Sequence, residues 1–417
     1  MKNSGSKRRT VSKSKFKIIF YCWLVYGFFY LNRLNLSPVI PLIMLDLDIS
    51  HARIGLIGAL FYIFYTMVQL PAGYLSDLFG ARKIIFAGGL ISAFSNLLFS
   101  FGNGLWHLAF FQSLNGLGQG CGFSPIIKII NQHFSFSQRG RVLGLVMTST
   151  AVFNVAAFLI AGYIGHTYGW RTVFWSAPLV FIPILILFKR GINTPPSIET
   201  TSNADGTDSN SLKSIKKKFF VRKDKQIFSR KMCFLGLGFF CLCYITYSNL
   251  IWLPSFLFES YDISLVQAGF LAALYPLSGL ISRPLGGYIS DVVFKGKRKQ
   301  TVMIGLFAIL VSTLLLSQIE DFNINIYIII IIGFFDNLIG PLFFAWMLDL
   351  VPYNHSGSGA GALQLFGHTG TILSIYFSGI AVDAFHSYRP FFMILSAISI
   401  LGIVSIWLIS ESEEKSL

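Results

Sequence analysis

Two stretches of the chain carry the same pattern 214 residues apart. Gln69–Lys83 reads QLPAGYLSDLFGARK, and Arg283–Lys299 reads RPLGGYISDVVFKGKRK. The same offset relates the triplet Asp48–Ser50 to the triplet Asp262–Ser264, both of which read Asp-Ile-Ser. A repeat that keeps its register over this distance predicts two halves, one of which is a degenerate copy of the other.

Composition places both halves in a bilayer. The chain is 54% hydrophobic and 12% charged with a mean hydropathy of +0.64, whereas an ordinary soluble domain is about 25% charged. Apolar segments recur at a length near the ~20 residues that cross a ~30 Å hydrocarbon layer. The sequence predicts an all-α membrane protein with twelve transmembrane helices, at 18–42, 54–75, 84–101, 106–130, 142–165, 172–188, 232–257, 266–289, 301–318, 325–350, 358–382 and 389–410.

The net charge of +15 is explained by topology. The basic tail and the basic loops lie on one side of the predicted spans, while most acidic loop residues lie on the other. Because Lys and Arg concentrate in cytoplasmic loops, both termini are expected in the cytoplasm. The expected location of the spans is the inner membrane of a bacterium. Nucleic acid is therefore not an expected partner. The long first segment after a basic tail is unlike a cleaved signal peptide, so that span is expected to stay.

The first span contains a charge near the centre of the predicted bilayer. Arg33 lies about fifteen residues beyond the basic tail, which at 1.5 Å per residue is close to mid-membrane. Such a residue usually faces a cavity and marks a solute path, and the alternative is a structural ion pair. No acid of the N-terminal half lies at the same depth, which favours the cavity.

The repeated loop resembles a known family signature. Its pattern G-x-L-x-D-x-x-G-x-[RK]-[RK] is similar to that of the major facilitator superfamily, and the second copy, with Gly287 and Asp291, is looser. The resemblance covers nearly the whole chain. It implies two six-helix halves around a pseudo-two-fold axis along the membrane normal, a midplane solute site, alternating access and a gating role for the loops. The residues that match in the first copy are Gly73, Leu75, Asp77, Gly80, Arg82 and Lys83.

A narrower resemblance rests on the first span. Tyr30–Ser37, followed by Pro41, is similar to the first helix of the anion:cation symporters and the organophosphate antiporters. The resemblance implies that Arg33 contacts the anionic group of the solute, for which a planar guanidinium is suited. The chain departs from these symporters by having Asn32 and Gln119 where they commonly have acids.

Polar residues of other spans are expected to line the same cavity. Tyr62, Tyr65 and Gln69 share one face of the second span. Tyr247 occupies the position 214 residues after Arg33. The organophosphate antiporters, which the chain resembles, pair two arginines across the pseudo-axis, and only one is evident here. The resemblance therefore favours a carboxylate or zwitterion over a phosphate ester. Arg283 is either a second positive site or a structural residue. The remaining candidates are Gln119, Asn154, Asn249 and Gln364.

Proton coupling needs a carboxyl group within the membrane, and Asp336 of the tenth span is placed for it. A carboxyl group that moves between dry and solvated surroundings can bind and release a proton. His368 is a candidate relay. The alternative for Asp336 is a fixed ion pair with Arg33 that joins the two halves.

The sequence predicts five regions. A basic tail (1–17) precedes a six-helix half (18–188), a cytoplasmic linker (189–231), a second six-helix half (232–410) and a short tail (411–417). Residues 195–211 of the linker are expected to be disordered, and the basic segment 212–231 is either solvated or an amphipathic helix on the membrane surface.

These features favour secondary active transport of a small polar solute, with a carboxylate-bearing, anionic or zwitterionic metabolite driven by protons as the first choice. The protein is expected to be a monomer. An organophosphate or inorganic anion antiporter is the first alternative, and a transporter-like sensor that binds without transport is the second. No nucleophile–base set, metal cluster or phosphate loop is evident, so neither an enzyme nor a cofactor is expected.

Overall fold

The computed structural model describes residues 3–192, 229–351 and 355–410, which form helices and no strands. The predicted disordered segment 195–211, residues 212–228 of the predicted basic segment 212–231, and the tail 411–417 lie outside the described residues. The helices are α1 (Asn3–Leu34), a 3-10 turn (Ser37–Val39), α2 (Ile40–Leu47), α3 (His51–Phe79), α4 (Ala81–Phe99), α5 (Leu105–Gly120), α6 (Phe123–His133), α7 (Phe136–Tyr168), α8 (Trp170–Gly191), α9 (Arg230–Tyr261), α10 (Leu265–Tyr288), a π-helical turn (Ile289–Val293), α11 (Arg298–Leu316), α12 (Phe322–Leu350), α13 (Ser356–Phe385) and α14 (Tyr388–Trp407).

Eleven helical stretches in the described part of the chain are long and apolar enough to cross a membrane. The first runs from Lys15 to Leu47, longer than the predicted 18–42. The segment predicted at 106–130 is divided into α5 and α6 at Cys121 and Gly122, so neither piece reaches the length of a span. The all-α membrane fold is confirmed, while the number twelve stays a prediction.

The repeated Asp-Ile-Ser triplet ends one helix and starts the next in both halves. Asp48 and Asp262 follow α2 and α9 in the left-handed conformation, with φ of 50° and 49°. Two residues later, Ser50 and Ser264 cap α3 and α10 by accepting a backbone hydrogen bond. Asp tolerates the left-handed region and Ser satisfies a free N–H at a helix start. The triplet is therefore conserved between the halves because it builds the same corner twice.

The second repeated loop contains an extra turn. Gly80 and Gly296 both have a positive φ, 90° and 83°, which glycine adopts without strain. The offset between these glycines is 216 residues instead of 214. The π-helical turn Ile289–Val293 begins within the matched part of the repeat and ends before Gly296, and a π turn accommodates extra residues within a helix. This turn explains why the second copy is looser after Asp291.

The halves contact each other through two equivalent helix pairs. Helix α3 packs on α13, and α10 packs on α7, as the repeat requires. We call the end of the bundle where α1 begins the basic end, after Lys15, Arg82, Lys189 and Arg298, and the opposite end the acidic end, after Asp46, Glu259, Asp321 and Asp383.

The two halves meet at the acidic end and separate toward the basic end. Near the acidic end, a Cβ at Gly55 would lie 2.7 Å from the Ile375 carbonyl oxygen, and one at Gly269 would lie 2.8 Å from the Phe158 carbonyl oxygen, so only glycine allows these backbones so close. Glycines nearer the basic end of α7, α10 and α13 meet no atom within 4 Å of such a Cβ; they are Gly144, Gly287 and Gly361.

The buried cores show the same division. One apolar cluster at the acidic end includes Ile43, Phe158, Trp252 and Phe391, and therefore extends through both halves. At the basic end each half has a cluster of its own, around Phe29, Ile85 and Phe181 in the first half and around Leu235, Leu306 and Phe343 in the second. The midplane candidates Tyr62 and Tyr65 belong to the joint cluster, on the side where it gives way to the separate clusters.

Candidate solute-binding site

Arg33 lies in an aromatic cage at the end of α1. Its side chain is only 5% exposed, and its guanidinium carbon lies 4.4 Å from the Tyr30 ring centre and 4.5 Å from that of Tyr65. Its Nε donates to Oε1 of Gln119 at 3.1 Å. Cation–π contacts in a dry site are worth roughly 2 kcal/mol, much less than the cost of removing a charge from water. The cage orients the cation but does not neutralise it.

A buried amide network supports this cage. Nε2 of Gln119 donates to Oδ1 of Asn115 at 3.1 Å, and Asn115 in turn donates to the backbone oxygen of Asn32 at 3.2 Å. Ser92 donates to the same Asn115 oxygen at 2.7 Å. Among the described residues, neither polar atom of the Asn32 side chain has a partner, although Asn32 is fully buried. The two positions where similar symporters have acids are thus neutral amides beside Arg33.

The predicted face of the second span reaches the other half of the protein. Tyr65 packs edge-on against the ring of His368 at 5.5 Å, and Oε1 of Gln69 is 3.1 Å from Nε2 of His368. Tyr62 contacts the ring of Tyr247 at 5.0 Å. Tyr247 is the repeat equivalent of Arg33. Arg33 of the first half and Tyr247 of the second half thus both lie against the Tyr62 ring.

Asp336 is buried in the second half, without a cationic partner among the described residues. It is 4% exposed, and its two oxygens accept hydrogen bonds from Thr246 at 2.7 Å and from Tyr275 at 2.8 Å. The alternative of a fixed Asp336–Arg33 ion pair is therefore wrong for this structure. Its carboxylate is held within the second half by hydroxyl groups that sequence reasoning did not identify.

Arg283 lies between the halves. Its Nε and Nη2 donate to Oδ1 of Asn337 at 3.1 and 2.9 Å, and its Nη1 reaches Oγ1 of Thr150 in the first half at 3.3 Å. No ion pair of the described residues includes it. It is thus a second cation at the interface, with no carboxylate of the described residues within ion-pair distance.

The other candidates differ in their surroundings. Asn154 is buried, and its side-chain oxygen has no partner in the described part of the chain. Asn249 is buried and donates to the backbone oxygen of Ile245, one turn earlier. Gln364 is half-buried, one turn before His368 on α13. The structure brings His368 to Gln69 and not to Asp336, and the roles of these residues stay predictions.

The two repeated loops are tied to their own halves by ion pairs. Asp77 pairs with Lys128 of α6 at 2.7 Å, and Asp291 pairs with Arg298 at 3.1 Å, while Arg298 also contacts Asp349 at 2.6 Å. Arg82 donates to the Ile192 carbonyl oxygen at the end of α8. Lys128 was missed from the sequence because it lies in an apolar segment with no relation to the repeat.

A polar cluster at the acidic end also escaped sequence reasoning. The ring nitrogens of His51 contact Asp383 at 2.9 Å and Glu259 at 3.0 Å, and both acids belong to the other half. Tyr388 donates to Glu259 at 3.0 Å. We call His51, Glu259 and Asp383 the acidic-end latch. No group of His, Cys, Asp and Glu among the described residues is arranged to hold a metal ion.

A family model described as Major Facilitator Superfamily matches residues 22–375. The chain belongs to the Major Facilitator Superfamily. This membership confirms the resemblance inferred from the loop signature, and it confirms that the protein is a multi-pass membrane transporter and not an enzyme.

Relatives in this superfamily align along nearly their whole length. The hexuronate transporter of Bacillus subtilis is 24% identical over 405 residues, covering 95% of this chain and 94% of the relative. A probable galactarate/D-glucarate transporter of the same organism is 26% identical, with 93% and 90% covered. A probable hexose phosphate transport protein of Chlamydia trachomatis is 26% identical, with 94% and 90% covered. These relatives confirm the resemblance to the symporter and organophosphate antiporter branches.

The chain is also similar to a membrane sensor protein and to a transporter of known structure. The membrane sensor protein UhpC of Salmonella typhimurium is 25% identical, with 91% of this chain and 88% of the sensor covered. The crystal structure of a D-xylose–proton symporter superposes with a TM-score of 0.77 at 14% identity and covers 96% of this chain and 99% of its own. The latter similarity establishes the superfamily fold.

Proposed function

We propose that this chain is a secondary transporter that moves a small sugar-acid anion across the plasma membrane, driven by protons. The observation that carries the proposal is Arg33, a buried cation held by Tyr30, Tyr65 and Gln119 with no carboxylate partner among the described residues. A guanidinium in this state is stabilised by an anion that can accept two parallel hydrogen bonds. The hexuronate and galactarate/D-glucarate transporters among the relatives are named for such anions.

Asn32 supplies hydrogen-bonding capacity beside this cation. A buried amide without a partner costs roughly 1–3 kcal/mol, and a bound hydroxylated solute offsets that cost by pairing with it. A sugar acid carries hydroxyl groups next to its carboxylate and matches both features. Tyr62, Tyr65, Gln69, Tyr247, Asn249, Asn154 and Gln364 complete the proposed solute contacts.

The packing of the two halves supports alternating access as part of this proposal. The acidic end is closed by glycine contacts and a joint core, while the basic end has separate cores. With the basic end in the cytoplasm, as the positions of Lys and Arg favour, this arrangement is inward-facing. If the two halves rock about an axis at the depth of Arg33, the solute site becomes open to the extracellular side instead. The ion pairs of Asp77 and Asp291 hold the gating loops on their own halves in this state.

Asp336 is the proposed proton acceptor. Its two hydrogen bonds come from hydroxyl groups instead of cations, so proton binding requires no ion pair to break. His368 contacts Gln69 across the halves, which places a second titratable group at the level of the site. We assign Asp336 the coupling proton, and His368 stays the candidate relay for it.

Two other functions are tested by the same experiment. A phosphate-ester antiporter requires exchangeable anion inside the vesicle, and a sensor binds solute without moving it. Labelled galacturonate and, in parallel, labelled glucose 6-phosphate are therefore supplied to proteoliposomes with an imposed inward proton gradient, with and without internal phosphate. Accumulation of galacturonate that needs the gradient and no internal phosphate supports the proposal. Uptake of glucose 6-phosphate only into phosphate-loaded vesicles indicates the antiporter, and binding without uptake indicates the sensor.

A further inference from the structure

We infer that Arg283 forms a second anion subsite, so that the solute is a dianion with a carboxylate at each end of a hydroxylated chain. This inference rests on the proposed function and narrows its substrate class. Among the described residues, two arginines and one aspartate supply the formal charges near the middle of the interface. They are the cations Arg33 and Arg283, one from each half, and the carboxyl group of Asp336.

The charge balance favours a doubly charged solute. When Asp336 carries the coupling proton, the two arginines leave two uncompensated positive charges between the halves. Uncompensated charge within a membrane is costly. A dianion balances both arginine charges, whereas a monoanion leaves one of them uncompensated. A protonated Asp336 and a bound dianion therefore form a neutral set that can cross the membrane as the halves rock.

The repeat relates Arg283 to a residue beside the Arg33 cage, but in the opposite half. The 214-residue offset relates Arg283 to Gln69, which contacts His368 of the other half. The same offset relates His368 to Asn154, one turn from Thr150, the residue of the first half that Arg283 contacts. Two cross-half polar contacts, related by the repeat to within one helical turn, thus lie on either side of the pseudo-axis. Only the second contains a permanent charge.

The geometry separates a two-ended dianion from a phosphate ester. Gln69 lies one turn beyond Tyr65 toward the basic end, so its equivalent Arg283 lies about 5 Å nearer that end than the Arg33 cage, and on the opposite half. A phosphate monoester has both charges at one end and satisfies only one of two separated cations. A hexose diacid presents one carboxylate to each.

The bonds of Arg283 are compatible with ligand exchange. Two of its nitrogens share a single amide oxygen of Asn337, and the third contacts Thr150 at the long distance of 3.3 Å. Hydrogen bonds to neutral partners are weaker than those to a carboxylate. An approaching carboxylate can therefore replace the Thr150 contact.

The test compares three probes on the purified full-length protein by isothermal titration. The probes are galacturonate with one carboxylate, glucarate with a carboxylate at each end, and glucose 6-phosphate with both charges at one end. We expect glucarate to bind about tenfold or more tighter than the other two, a difference of about 1.4 kcal/mol. Arg283→Gln should remove that advantage while changing galacturonate affinity by less than about threefold.

Two variants keep the result interpretable. Thr150→Val removes the cross-half hydrogen bond but not the charge, and it should preserve the preference for glucarate; Arg283→Lys should preserve part of it. Equal affinities for galacturonate and glucarate in the natural protein, preference for glucose 6-phosphate, or an equal loss for both sugar acids in Arg283→Gln overturns the inference. If no sugar acid binds the natural protein, the proposed function fails as well.

Discussion

Asp383 of the second half caps the helix that begins at His51 of the first. Its two oxygens accept the backbone amides of His51 and Ala52 at 3.0 and 2.7 Å, while the same carboxylate contacts the His51 ring. A carboxylate at a helix N-terminus satisfies free N–H groups and interacts favourably with the helix dipole. The carboxylate therefore stabilises α3 only while the acidic end is closed, which makes the pair a latch between the halves.

Asp383→Ala should weaken this closed end. Loss of a partly buried cap costs about 1 kcal/mol, which increases the population of the opened acidic end by about fivefold. The reporter is a cysteine at Ser37, whose hydroxyl now donates to the backbone oxygens of Leu250 and Ile251 across the interface. In a background without the five natural cysteines, labelling of this thiol by an impermeant reagent should accelerate. Asp321→Ala is the control, since Asp321 caps α12 within its own half; equal acceleration in both variants would contradict a latch.

The latch should also respond to pH. A protonated His51 pairs with both Glu259 and Asp383, and the nearby Trp252 ring and the Tyr388 hydroxyl carry no charge near neutral pH. The two carboxylates favour the protonated ring, so the closed end keeps its full stabilisation below the ordinary value of histidine, near ~6.5, and loses it as the pH rises further and the ring becomes neutral. Labelling at residue 37 should therefore rise as the pH is raised above ~6.5. His51→Gln should abolish this pH dependence; an unchanged profile in that variant would assign it to another group.

Asp336→Asn should separate exchange from coupling. The amide keeps hydrogen-bonding capacity toward Thr246 and Tyr275 but cannot bind the transported proton. We expect loss of accumulation driven by a pH gradient, with counterflow of galacturonate in preloaded vesicles retained. Asp349→Asn is the matched control, because Asp349 contacts Arg298 at the basic end. Gradient-driven accumulation at the natural level in Asp336→Asn would remove this residue from the proton path.

The topology prediction is tested by single cysteines in intact cells. A cysteine at Asp262, in the corner between α9 and α10 at the acidic end, should react with an impermeant reagent added outside. A cysteine at Ser209, in the predicted cytoplasmic linker, should react only after the membrane is permeabilised. Labelling of residue 209 in sealed cells would show that the linker is outside the cell. The predicted orientation and the inward-facing interpretation would then both be wrong.

The parts of the fold that depend on neighbouring residues were predictable. The Asp-Ile-Ser corners and the loop glycines determine local backbone conformation, so a repeat of the residues is a repeat of the structure. The π-helical turn was not predictable, because extra residues in a membrane loop leave no hydrophobic pattern. The glycine-rich fourth span indicates close helix contact and a bend before Pro125. The position of the break at Cys121 depends on glycine contacts, such as a Cβ at Gly118 lying 2.6 Å from the Gly88 oxygen, that only the packed bundle contains.

The depth of the candidate site residues in the membrane was predictable, but their hydrogen-bond partners were not. The sequence gives the position of Arg33 and Asp336 along their helices, but it does not give the rotation of each helix relative to the others. That is why an Arg33–Asp336 pair was considered and why Thr246 and Tyr275 were missed. The latch joins His51 to Asp383 across 332 residues with no repeat to relate them, so nothing in the sequence indicated it.

The most direct test of the account is the affinity of Arg33→Lys for galacturonate, measured by isothermal titration on the purified protein. Lysine keeps the charge but cannot form the paired hydrogen bonds of a guanidinium or span the Tyr30–Tyr65 cage, so we predict a loss of affinity of roughly 100-fold with an unchanged melting temperature in the absence of solute. The control is Arg53→Lys, an exposed arginine at the acidic end, which should bind as the natural protein does. Natural affinity in Arg33→Lys would contradict the account, because Arg33 would then be a structural cation and the anion would bind elsewhere.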